Sequence, residues 1–180
     1  MASNPVLAIV FSAVLAATAG CASGPPAPPE VPGALQPPAG QALFLEALAS
    51  GVQIYECAPK ADQPSTFEWA FRAPEAALVD RAGRSLGKHY AGPTWESPDG
   101  STVVGEVKGR DPGPDPSAIP WLLLNAKSTS GNGVFTPTKS IQRVRTVAGV
   151  APAEACTAAK AKQIARVPYT AAYYFYRAAP

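Results

Sequence analysis

The sequence predicts a mainly β domain, an antiparallel β-sandwich or barrel with one short helix near the C-terminus. Two observations point there. Between residues 51 and 177 apolar side chains recur at every second position in short runs, the period of a half-buried strand. Those runs are punctuated by groups such as Arg81-Ala82-Gly83-Arg84 and Pro98-Asp99-Gly100, which supply the positive φ and the side-chain caps that tight turns require. Several short strands at this spacing close into a sandwich or barrel.

The predicted domain is preceded by two segments of different character. Residues 1–20 contain Val6–Ala19, an uncharged apolar run of signal-peptide core length, too short to span a membrane comfortably. Small residues stand directly before Cys21, which suits a lipoprotein signal peptidase and would leave Cys21 as an acylated N-terminus. Thr18, where a larger aliphatic is usual, and the lack of Lys or Arg in Met1–Pro5 depart from that pattern. The alternative is ordinary cleavage after Ala19 or Ala22 and a secreted soluble protein. Residues 21–40 then form a lipidated cysteine with a tether of Pro, Gly and Ala, a composition that stays extended and buries little. Residues 41–180 are expected to be a single β domain.

Within it, Gln41–Ser50 is ambiguous between helix and strand and is assigned to strand. Gly51–Cys57 places Val52, Ile54 and Glu56 on one face and Gln53, Tyr55 and Cys57 on the other. Thr66–Arg72 groups Phe67, Trp69 and Phe71 on one face, expected to be buried. Ala77–Tyr90 and Pro93–Val107 read as successive hairpins about the two turns named above. Ile119–Ser128 is a continuous apolar run, expected to be a central strand buried on both faces. Ser140–Gly149 alternates again, and Val167–Arg177 closes the chain as an aromatic-rich strand. The short helix is placed between Pro152 and Ala165, an Ala-rich stretch with proline at its start.

The net charge of +2 is too small for a nucleic-acid binder. From Lys127 onward eight Lys/Arg face a single acid, Glu154, a bias that reads as a solvated face answering acids in the first half. Of three cysteines, Cys21 is assigned to lipid, leaving Cys57 and Cys156; in an oxidising compartment these form a disulfide by default. With one histidine and no further cysteine, no metal site is expected.

Chemistry-bearing residues concentrate in Gly87–Ser101. His89 could act as general acid or base with Glu96 or Asp99 orienting it. Yet no Gly-x-Ser-x-Gly elbow is present and Gly83–Lys88 falls short of a phosphate loop. Turn geometry accounts for most of the stretch. A binding role is better served: Tyr90 and Trp95, flanking a turn beside His89, offer flat faces with polar edges, suited to sugar rings or an apolar pocket at a barrel mouth.

The segments Gly51–Cys57, Gly87–Ser101, Ala118–Ala126, Ile141–Cys156 and Arg166–Arg177 together resemble the family catalogued as domain of unknown function 3455, exported proteins of bacteria and fungi. The resemblance spans about residues 41–180. It implies one secreted or envelope domain carrying the Cys57/Cys156 pair, and it carries over no catalytic residue. Some fungal members bear dehydrogenase-like labels, but no Gly-x-Gly-x-x-Gly follows a strand here, so no cofactor is expected. The functional expectation is an exported, lipid-anchored envelope protein of the periplasm or outer membrane. Its role would be non-enzymatic, binding a small molecule, glycan or partner protein. The alternative is an envelope hydrolase centred on His89 with Glu96 or Asp99.

Overall fold

Alternating sequence becomes eight strands: β1 (Gln41–Pro59), β2 (Phe67–Val79), β3 (Ser85–Tyr90), β4 (Thr94–Glu96), β5 (Thr102–Asp111), β6 (Trp121–Ser130), β7 (Ser140–Ala148) and β8 (Ile164–Ala178). The computed structural model describes residues 26–180; the expected signal peptide and Cys21 lie outside them. Each strand runs antiparallel to the next and β8 returns to β1, so the sheet closes into a barrel. Closure gives every strand two neighbours, although Phe67–Glu75 of β2 and Glu106–Asp111 of β5 are paired on one side only. The barrel is the resolved form of the predicted sandwich or barrel, and Gln41–Ser50 is strand.

The 19-residue β1 binds the assembly, pairing with β2 on one side and β8 on the other. Gly51 permits that packing, because a Cβ there would sit 2.1 Å from the Glu75 carbonyl oxygen. Inside the barrel, Trp95, Leu78, Leu124, Ile141, Tyr173 and Phe175 form the main core. Burying a side chain of this size stabilises by about 1.5–3 kcal/mol relative to exposure.

The two ends differ. One is closed by the loop between β6 and β7, which inserts Phe135, fully buried, against Phe175 with ring centroids 5.0 Å apart. Asp99 and Ser101 of the β4–β5 turn hold that loop. Asp99 Oδ2 accepts from the Val134 amide at 2.8 Å, and Ser101 Oγ accepts from the Phe135 amide at 3.1 Å. The opposite end is crossed by residues 149–163 but left partly open. This strap is joined to β1 by the Cys57–Cys156 disulfide and to β2 by Trp69 Nε1, which donates to the Glu154 carbonyl at 2.8 Å.

Three local expectations are modified. The Ala-rich stretch 152–165 is not a helix; only Ala158–Lys160 forms a single 3-10 turn. Its helix propensity is overridden because the backbone is recruited to β1: the Lys162 amide donates to the Cys57 carbonyl and the Cys57 amide to the Gln163 carbonyl. Phe67, Trp69 and Phe71 do share a face, since they pair with Pro59, Cys57 and Tyr55. But β2 reaches the open end there, so Phe71 remains 51 % exposed. In β6, Leu122, Leu123 and Leu124 are buried consecutively, whereas Lys127–Ser130 emerge into solvent.

The Pro-rich segment is also more than a spacer at its C-terminal end. Gly33–Leu35 makes a 3-10 turn, Leu35 is fully buried, and Val31 packs against Tyr174, Tyr176 and Val144 outside the barrel. Gln142 fastens it, donating from Nε2 to the Leu35 carbonyl at 2.8 Å while accepting from Tyr176 OH at 2.7 Å. The outer face of this corner is therefore a second, smaller core. Nearby, buried Glu46 accepts from Tyr174 OH at 2.6 Å and pairs with Arg81.

Candidate functional site at the open end of the barrel

The open end leads into a cavity of about 430 Å³, within the size range of small-molecule sites. Every second residue of a strand faces inward, and the register sets which. Ala76 pairs with His89, His89 with Trp95, Leu122 with Arg143 and Arg143 with Tyr173. These ladders place His89, Trp95, Leu122, Arg143 and Tyr173 on the cavity wall, joined by Gln53 and Tyr55 from β1 and by Arg72 and Arg110 near the rim.

His89 is 2 % exposed and lies flat on Trp95, with ring centroids 4.4 Å apart and planes 13° from parallel. Tyr173 meets both rings edge-on. The Thr94 carbonyl can only accept, so His89 Nδ1, 2.9 Å away, carries the proton. The ring is neutral: burial drives its pKa down to about 3, the Thr94 bond opposes this, and the Arg143 charge adds to the fall. Nε2 then presents a lone pair.

Other polar atoms of this interior are buried without a hydrogen-bond partner: Gln53 Nε2, Trp95 Nε1, Tyr169 OH and Tyr173 OH. Three of these belong to side chains that line the cavity, Gln53, Trp95 and Tyr173, and an unpaired buried polar group costs about 1–3 kcal/mol. Burial also raises the Tyr169 and Tyr173 phenols, while the Arg143 charge works against it; both stay protonated near neutrality.

Arg143 is held by the Pro120 carbonyl, to which Nε donates at 3.2 Å and Nη2 at 2.8 Å. That carbonyl uses part of a five-donor fork and none of the charge. Tyr55 donates to the Gly149 carbonyl at 2.7 Å, fixing the strap above the cavity.

The family described as Protein of unknown function (DUF3455) matches residues 38–177. The chain belongs to that family. No curated protein and no solved structure matches it.

In this DUF3455 domain the residues expected from sequence are dealt to different places. His89 and Trp95 line the cavity. Tyr90 does not: it follows His89 and faces the other side of the sheet, donating from its OH to Glu96 Oε2 at 2.7 Å. Glu96 is engaged there, and the hydrogen bond from Tyr90 and the Lys88 ammonium hold its carboxyl below the usual range. Asp99 belongs to the plugged end. Its carboxyl is lowered to about 2 by bonds from the Ser101 hydroxyl and the Val134 and Ser101 amides. His89, Glu96 and Asp99 are thus not brought together. Cys57 and Cys156 are bonded, with Cα atoms 5.5 Å apart.

Sequence reasoning missed Gln53, Tyr55 and Arg143. A signal existed for Arg143: it stands two residues after Ile141, so the alternation of β7 puts it on the same face as a core residue. Gln53 and Tyr55 share the Cys57 face in the same way.

Proposed function

We propose that this DUF3455 domain is a non-enzymatic binding protein of the cell envelope that holds a small molecule in the open end of its barrel. The observation that carries this reading is the cavity itself: about 430 Å³, walled by Tyr55, Trp95, Leu122, Leu124 and Tyr173, with unpartnered Gln53 Nε2, Trp95 Nε1 and Tyr173 OH among its side chains. Eight-stranded barrels are wide enough to hold one such ligand. A pocket enclosed by strands suits a small molecule better than a glycan chain or a protein surface, which need an open face. The hydrolase alternative lacks support, because neither carboxylate accompanies His89.

The test uses N-phenyl-1-naphthylamine, a neutral dye that brightens in apolar pockets. Titration should give saturable fluorescence with one site per chain. Val107→Trp should abolish it, since Val107 lines the rim and is 48 % exposed, so a large ring there blocks entry without touching the core. Absence of saturable binding in the wild type, or unchanged binding in the variant, rejects the reading.

Export and anchoring rest on the Val6–Ala19 apolar run, the small residues before Cys21 and the proline-rich stretch behind it. The fatty acid on Cys21 would hold the domain at the membrane. Radioactive palmitate should label the protein in cells and fail to label Cys21→Ala; an unlabelled wild type removes the anchor.

A further inference from the structure

The charged side chains that line the barrel cavity are arginines. The chain has eight. Arg72, Arg81, Arg84, Arg145 and Arg166 each pair with a carboxylate, Glu or Asp, within 4 Å. Among the described residues, Arg110, Arg143 and Arg177 have no carboxylate partner, and Arg177 lies over the Phe44 ring instead. The other two both line the cavity. Arg72 is there too, although Glu56 already neutralises it at 2.9 Å. No acidic side chain is among the lining residues.

Arg143 is the more telling of the pair. It comes from the inward register of β7, between Leu122 and Tyr173, and its charge acts on Tyr55, His89, Tyr169 and Tyr173. A cation half-buried among aromatic rings, held by the Pro120 carbonyl and with no carboxylate within 4 Å, is incompletely compensated. The unpartnered atoms lean the same way. Gln53 Nε2 and Trp95 Nε1 can only donate, and the Tyr173 hydroxyl can donate. The acceptors on the lining side chains are His89 Nε2 and the Gln53 amide oxygen. The remaining wall, including Phe71, Pro74, Pro93, Leu122 and Leu124, is apolar.

Resting on the small-molecule reading above, we propose that the occupant is an organic anion: a flat apolar body lying in the lumen and one oxyanion group, carboxylate, sulfonate or phosphate, received by Arg143 and Arg110. The planar guanidinium fork of Arg143 would form charge-assisted hydrogen bonds to that group. Binding would complete the neutralisation of Arg143 and supply acceptors to the donors that now lack them.

A matched pair of dyes separates charge from shape. 8-Anilinonaphthalene-1-sulfonate carries the same aromatic body as N-phenyl-1-naphthylamine plus a sulfonate. The sulfonate dye should bind the wild type about tenfold or more tightly than the neutral one. Arg143→Gln should shrink that preference to about threefold or less, and Arg143→Lys should retain more of it. Arg110→Gln, at an exposed rim position, should cost a smaller factor of about three; it also serves if Arg143→Gln does not fold. Raising salt should weaken only the sulfonate dye. Equal affinities for the two dyes, or a preference that survives both Arg110→Gln and Arg143→Lys undiminished, overturns the anion inference and leaves the cavity reading standing. Failure of both dyes to bind removes the cavity reading and this inference with it.

Discussion

Acidifying the solution from pH 7.5 to 5.5 is a perturbation aimed at a single side chain, because His89 is the only histidine. Buried to 2 % exposure between Trp95 and Tyr173, it titrates near 3 when folded and near 6.5 when unfolded. The unfolded chain therefore takes up a proton that the folded protein refuses. Stability is full above pH 6.5 and is lost as pH falls toward 3, by about 1.4 kcal/mol for each pH unit below 6.5. At pH 5.5 the loss is about 1.4 kcal/mol, or roughly 3–6 °C in Tm for a chain of this size. Asp99, Glu96 and Glu46, whose carboxyls are held low by their partners, contribute little in this window, since unfolded carboxylates are still ionised at pH 5.5. Urea unfolding at pH 7.5, 6.5 and 5.5 measures the slope. His89→Gln should abolish it, whatever that substitution does to absolute stability. A wild-type loss under about 0.3 kcal/mol, or an unchanged slope in the variant, would mean that the ring titrates freely and is not enclosed as described.

Two further outcomes test the scaffold. Reducing the Cys57–Cys156 bond, or replacing both cysteines by alanine, should cost about 4–5 kcal/mol on chain-entropy grounds, because the bond joins residues 99 apart; a urea-measured loss under ~1 kcal/mol refutes that reasoning. Gly105→Ala should destabilise by about 1–3 kcal/mol, because a Cβ there would lie 2.9 Å from Trp95 and 3.0 Å from Leu124. Trp95→Phe in the same chain should recover part of the loss, and strict additivity of the two in a double-mutant cycle would show that they do not meet.

Period-two patterning was enough to read the strands and the hairpin turns at Asp80–Arg84 and Ser97–Ser101, because each depends on neighbours along the chain. The cysteine pairing followed from compartment and number, without geometry. By contrast, Pro152–Ala165 has every local mark of a helix and is held as an extended strap by β1 and the disulfide, partners far away in sequence. Half of the site was visible for a similar reason. His89 and Trp95 sit in one hairpin, so their proximity was local, while Tyr90 was misjudged because alternation says that neighbours part but not which one faces inward.

What the sequence determined by itself is an alternating β chain that buries one face of each strand, preceded by an apolar run and a proline-rich segment. Only the closed barrel decided that Arg143 from β7, Gln53 from β1, Trp95 from β4 and Tyr173 from β8 share one interior. Strand register across a closed sheet is set by packing and by long-range hydrogen bonds, and a one-residue slip would send the same side chains outward. Phe135 fills one end of that interior, and at the other end Arg143 lines the cavity with no carboxylate to meet it.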